Sequence, residues 1–167
     1  MNVINVSQRS PEWRLWRSQG ISASEAAIIM GRSPHKTPWR LWAEKTGLVL
    51  EQPLDNNPLI RIRIGIEYEP QALQRFEDKH DVLLLPLCGE SEHYPLMRAS
   101  FDGLSESNEP VEVKCPHEST FLDVLLNREQ SEAYQLYWCQ VQQQLLVAEA
   151  ARGFCSFITR GKRWSLR

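Results

Sequence analysis

The stretch Ser100–Pro116, SFDGLSESNEPVEVKCP, constrains the chain more than any other. Gly103, Ser105, Ser107, Asn108 and Pro110 concentrate turn-forming residues between two short runs that read as strands, roughly Met97–Leu104 and Val111–Cys115. The expected product is a hairpin with Asp102 on one arm and Glu112 on the other. Strand side chains alternate faces, so Glu112 and Lys114 point one way, while Val111, Val113 and Cys115 enter an opposite, apolar layer. Two carboxylates and one ammonium are thereby expected on a single face.

That trio has a specific chemical use. Magnesium and manganese take several oxygen ligands, commonly one or two carboxylates, waters and substrate phosphate oxygens. Asp102 and Glu112 supply such ligands, and the Val113 carbonyl can add another. A metal held there polarises a phosphodiester and acidifies a bound water. Lys114, close by, can orient the attacking hydroxide and offset charge growing on the phosphate. The bland reading is a surface ion pair on a solvated sheet face, and a lone D-x9-E-x-K motif does not exclude it.

Context decides. With an upstream glutamate and a downstream glutamine, the pattern resembles the PD-(D/E)XK nuclease superfamily. More narrowly it resembles the lambda-exonuclease / YqaJ-like viral recombinase family of phage alkaline exonucleases. The resemblance is carried, in family order, by W-R-x-W-R-x-x-G-I-S-A-S-E at Trp13–Glu25, G-x-x-Y-E-P at Gly65–Pro70 and S-F-D-G-L at Ser100–Leu104. V-E-V-K-C-P at Val111–Pro116 and Y-W-C-Q-V-Q at Tyr137–Gln142 complete it.

The resemblance implies an α/β restriction-endonuclease-like core, with a mixed central sheet flanked by helices. It implies one nuclease domain over 1–167, divided into an N-terminal helical part (1–58), a catalytic core (59–160) and a basic tail (161–167). The expected activity is Mg²⁺-dependent 5′→3′ exodeoxyribonuclease digestion of one strand at duplex DNA ends, with Mn²⁺ able to substitute. The 3′ single strands left behind would serve recombination by annealing. Asp102, Glu112 and Glu69 would hold metal, Lys114 and Gln140 would position the nucleophile, and Arg17, Ser24 and Ser100 would receive a terminal 5′-phosphate. A single-strand annealing protein and further copies of the chain, in a trimeric ring, are the implied partners. The short stretch after the last expected strand, lacking much of the C-terminal extension of some relatives, weakens the trimer expectation. The implied location is the cytoplasm of a bacterial host, for a phage or prophage protein. An endonuclease or nickase on the same scaffold, or an inactive DNA-binding module, are the alternatives.

Global properties agree with one soluble domain. The chain has 167 residues, 42% hydrophobic and 24% charged, long enough for a core. No run has the length of a membrane span, and MNVINVSQRSPEW carries no signal-peptide pattern. Cys88, Cys115, Cys139 and Cys155 are widely spaced with no C-x2-C pair, which argues against a zinc or iron–sulfur site. The four histidines have no ligand spacing. Net charge is −2, unevenly placed: nine Lys/Arg to five Asp/Glu over 1–66, five to sixteen over 67–151, and five to none over 152–167. The acidic middle carries the expected metal site, and the basic ends suit phosphate backbone.

Along the chain, Ser10-Pro11 reads as the start of a helix through about Ser18. Ser22–Glu25 reads as a capping box opening a second helix, through Met30 to Gly31, with Ser22 as structural cap. Thr37-Pro38 begins a third helix, with Trp39, Leu41 and Trp42 expected to face the core. Residues 48–58 read as a loop. From Leu59 to His80, alternation of Ile60, Ile62, Ile64 and Ile66 suggests a strand and the later residues a helix; periodicity leaves the boundary open. The resemblance favours one long helix presenting Glu69, with Glu67 as second choice. Val82–Leu87 reads as a strand followed by turn residues Pro86 and Gly89. Helices are expected at Thr120–Arg128 and Glu132–Ala148, the latter with a mostly solvated glutamine cluster, and a last strand at Gly153–Thr159.

Overall fold

The computed structural model describes residues 1–50 and 56–159; the expected basic tail lies outside them. The elements are β1 (Asn2–Ile4), α1 (Pro11–Ser18), β2 (Ile21–Ser22), a 3-10 turn (Ala23–Glu25), α2 (Ala26–Ile29), α3 (Pro38–Lys45) and α4 (Asn56–His80). There follow β3 (Leu85–Glu90), β4 (Met97–Leu104), β5 (Pro110–Lys114), α5 (Glu118–Asn127), α6 (Glu132–Ala148) and β6 (Phe154–Phe157). One mixed sheet runs β1-β3-β4-β5-β6, with β2 pairing beside β4. The β1/β3, β3/β4 and β4/β5 pairs are antiparallel, and β2/β4 and β5/β6 are parallel.

Local chemistry explains the helix starts. Ser10, Thr37 and Ser131 each accept a backbone N–H from the first turn of α1, α3 and α6, and proline follows Ser10 and Thr37 where its missing N–H costs nothing. Ser22 N–H donates to Glu25 Oε2 at 2.8 Å, so the capping box exists, although the turn it opens is 3-10 before α2 begins. Ala23, Ala99, Phe101, Leu104, Val147 and Ala148 form the main core, where α6 and the 3-10 turn meet β4.

α4 is one continuous helix containing Pro70, so the isoleucine alternation at 60–66 is not a strand. Its C-terminal half is the packed half: Ala72 is buried, and Phe76 lies 5.2 Å from the Phe154 ring of β6. Gly103 makes the approach to β4 possible. A Cβ there would stand 3.0 Å from Leu84 and 3.2 Å from Leu73 Cδ2. Glu69 lies one turn before Leu73 on the same helix face, so this close contact also carries Glu69 toward Asp102.

Four expectations need correction. The 1–58 part is not purely helical: β1 pairs with β3, β2 with β4, and α4 begins at Asn56. Strand β3 runs through Pro86 and Gly89 instead of ending at them, because a register shift between Leu85 and Leu87 absorbs the proline. Trp39 and Trp42 are 65% and 53% exposed, while Leu41 and Ala43 fill the core side of α3. Gln143 and Gln144 are buried, not solvated.

Candidate active site

The site lies in a fork of the sheet. Along one edge, β4 pairs with β2 at Met97 and Arg98, then with β5 at Gly103 and Leu104. Between these rungs stand Ser100 and Asp102, two apart and therefore on one face. Extending the β4/β5 register by two residues would set Phe101 opposite Val113, but that rung is absent. The Val113 N–H donates instead to Asp102 Oδ2 at 2.8 Å, and the Phe101 carbonyl accepts from Gln8 Nε2 at 2.8 Å.

Glu112 is held at both oxygens. Lys114 Nζ donates to Oε1 at 2.6 Å, and Gln144 Nε2 to Oε2 at 2.6 Å. The same ammonium donates to Gln140 Oε1 at 2.9 Å and lies 5.3 Å from the centre of the Tyr137 ring. At 4% exposure, Glu112 is a carboxylate that requires these partners. Burial works against a charged Lys114, yet the charge and hydrogen bond of Glu112, backed by Cys155 and Asp102, leave its pKa above the ordinary lysine value. The site thus favours the charged form of Lys114. Burial pushes the thiol of Cys155, opposite Glu112 on β6, up to about 12.

Asp102 is pushed up to about 7, first by burial, then by the Glu112 charge and more weakly by Glu69; the Val113 N–H and Lys114 oppose the rise. A carboxylate this reluctant to ionise beside another is one that a divalent cation would relieve. No three acidic, histidine or cysteine side chains among the described residues form a ready-made cage. Asp102 and Glu112 converge as a pair, whereas Glu69 Oε2 is drawn to Arg9 Nη2 at 2.5 Å. A pair suffices for Mg²⁺, which keeps waters and takes substrate oxygens, so the donor set fits that ion. Val113 contributes its N–H to Asp102. Glu67 is exposed.

The expected phosphate residues lie in the same cavity, of about 240 Å³, whose lining includes Arg17, Ser24, Ser100, Asp102, Lys114 and Gln140. Arg17 Nη2 donates to Ser24 Oγ, and to Ser22 Oγ at 3.0 Å, with the guanidinium carbon 4.9 Å from the centre of the Trp13 ring. Ser22 thus serves this pocket as well as its turn. Ser100 Oγ accepts from Trp13 Nε1 at 2.7 Å and from Cys88 Sγ at 3.7 Å. Both contacts use its oxygen, so its proton is available to an anion in the cavity.

Sequence reading passed over Gln8, Arg9, Trp13 and Gln144. A signal existed for Gln144, which stands one helical turn after Gln140 on the same side of α6. Trp13 stood in the motif Trp13–Glu25 without a role of its own. Nothing local marks Gln8 or Arg9, whose partners are distant in sequence.

Residues 12–151 match the YqaJ-like viral recombinase domain family. An uncharacterized protein, YqaJ of Bacillus subtilis (strain 168), is 27% identical over 148 residues, covering 86% of this chain. The chain spans only 44% of that relative's length. Among solved structures, an alkaline exonuclease from Laribacter hongkongensis, LHK-Exo, superposes with a TM-score of 0.65 at 21% identity, over 90% of this chain and 73% of its own. The same exonuclease in complex with dAMP superposes with a TM-score of 0.67, over 93% and 76%. The chain thus shares the mixed α/β fold of that alkaline exonuclease.

Proposed function

Since the chain belongs to the YqaJ-like viral recombinase family, we propose that it is a Mg²⁺-dependent 5′→3′ exodeoxyribonuclease acting on duplex DNA ends. Mn²⁺ would replace Mg²⁺, and the 3′ strand would pass to a single-strand annealing protein. The observation that carries this reading is the single cavity joining the Asp102, Glu112 and Lys114 cluster to the Arg17, Ser24 and Ser100 cluster. A metal-activated hydrolytic centre beside an anion pocket suits removal of nucleotides from a phosphorylated end. The fold neighbour, an alkaline exonuclease, and its complex with dAMP support the same class.

Each residue then has a task. Asp102 and Glu112, with Glu69 and the Val113 carbonyl, would hold the cation, which supplies Lewis acidity and an acidified water. Lys114, fixed by Glu112 and Gln140, presents a proton-rich ammonium to the attacking oxygen and the phosphate, where negative charge accumulates. Gln140 keeps that ammonium from rotating away. Gln144 keeps Glu112 from turning its second oxygen into the cavity. Arg17, steadied by two serine hydroxyls and the Trp13 face, offers its remaining N–H groups to the terminal phosphate, and Ser100 adds its hydroxyl.

Digestion of linear duplex DNA, with and without a 5′-phosphate, in Mg²⁺ and in EDTA, tests the proposal beside closed circular DNA and Glu112→Ala. Mononucleotide release that favours phosphorylated ends and disappears with EDTA and with Glu112→Ala is expected. Cutting of the circle would move the assignment to an endonuclease. DNA binding without metal-dependent cutting of any substrate would leave a binding module.

A further inference from the structure

Arg9 occupies a backbone position that an arginine fills at a cost. Its φ is 72°, in the left-handed region that glycine adopts freely and a side chain resists. The neighbours hold it there. Gln8 Nε2 is bonded to the Phe101 carbonyl at 2.8 Å, Ser10 N–H to the Ser7 carbonyl at 3.1 Å, and Ser10 Oγ caps α1 through Trp13 N–H at 3.1 Å. The chain is thus pinned to β4 on one side and to α1 on the other, and the Arg9 side chain lines the cavity that also holds Asp102, Glu112, Lys114 and Arg17.

The partner of Arg9 is Glu69, at 2.5 Å, with Arg9 45% and Glu69 20% exposed. An ion pair this open to water contributes little to stability, so bracing α4 does not account for an arginine in a strained position. Glu69 is also a carboxylate whose charge reaches Asp102, more weakly than that of Glu112. A guanidinium that lines the cavity therefore neutralises a third acidic group beside two carboxylates that press against each other.

We propose that Arg9 is a phosphate-binding residue held in exchange with the metal. In the metal-free protein its guanidinium satisfies Glu69. When a divalent cation takes the carboxylates, Glu69 turns to it and the Arg9 fork passes to the phosphate oxygens of the bound DNA strand. This rests on the nuclease reading above, and it gives the metal and the DNA opposite dependences on one side chain.

Arg9→Gly relieves the backbone while removing the guanidinium, and Arg9→Lys keeps the charge without the fork. In the full chain without DNA, Arg9→Gly is expected to bind Mn²⁺ about two- to fivefold more tightly by calorimetry, the worth of an exposed ion pair no longer competing for Glu69. On a phosphorylated 20-bp duplex its KM is expected to rise roughly tenfold, with the salt slope reduced by about 1. Arg9→Lys should recover part of the KM and the salt slope. Equal Mn²⁺ affinity in Arg9→Gly and the parent chain would overturn the exchange, and an unchanged KM and salt slope would overturn the phosphate role. Weaker Mn²⁺ binding together with a lower melting temperature would make Arg9 a structural brace instead. Failure of the parent chain to cut any duplex sinks the nuclease reading separately, because the Mn²⁺ titration requires no cutting.

Discussion

Gln144 donates a 2.6 Å hydrogen bond to Glu112 Oε2 from a side chain with no exposed surface, while its own Oε1 finds no partner. The unsatisfied half of this buried amide is destabilising, and the bond of its other half to Glu112 offsets that cost. Gln144→Leu removes the orphaned oxygen but strips a buried carboxylate of a charge-assisted bond. We expect a net loss of about 1–3 kcal/mol in metal-free stability, read by urea unfolding. Cleavage at saturating Mg²⁺ should fall by about tenfold or more. A variant unaltered in both would show that Lys114 alone orients Glu112.

The position of Asp102 gives a signed dependence on pH. Its folded pKa of about 7 lies above the ordinary 3.8, so the folded state holds the proton more tightly than the unfolded chain. Its stabilising contribution is complete below about pH 4 and is lost as pH rises toward 7. Metal binding must displace that proton. Added Mg²⁺ should therefore raise the melting temperature more at pH 8 than at pH 6, and Asp102→Asn should abolish the difference. An equal Mg²⁺ shift at both pH values would mean that Asp102 is already ionised in the metal-free protein.

On the proposed function, end recognition is expected to separate from chemistry. Arg17→Ala should slow digestion of 5′-phosphorylated duplex by roughly 10- to 100-fold, the worth of a charge-assisted hydrogen bond. Digestion of a 5′-hydroxyl end should change little. Time courses on the paired substrates check this, and equal slowing on both would place Arg17 in general DNA binding.

The two tryptophans of α3 test burial directly. Trp39→Ser and Trp42→Ser, at exposed positions, should each cost no more than about 0.5 kcal/mol. Leu41→Ala, 5% exposed between them, should cost about 2–5 kcal/mol. Chemical denaturation of the three variants distinguishes them, and a large loss from either tryptophan would show that its face is covered in solution.

Where the signal was local, the sequence was readable. The turn residues between Gly103 and Pro110 announced β4 and β5, and with them the meeting of Asp102, Glu112 and Lys114. Serine, threonine and proline marked the starts of α1, α3 and α6. What stayed hidden depends on distant partners. Three residues of β1 are a strand only because β3 lies beside them. Pro86 reads as a turn until a bulge absorbs it. Gln143 looks solvated until its amide is found on the carbonyls of Ile21 and Arg98. The Arg9–Glu69 pair spans sixty positions, and no periodicity announces it.

The parallel seating of β6 against β5, with Cys155 beside Glu112 and Phe157 beside Lys114, also bears on when the molecule becomes competent. Synthesis delivers the Glu112 strand first, then two helices, and only afterwards the strand that pins it. A chain still on the ribosome at α6 already carries every acidic residue discussed above, but its Glu112 strand remains an open edge. The surroundings of Glu112 are therefore completed only after β6 has emerged, an order set by the chain itself.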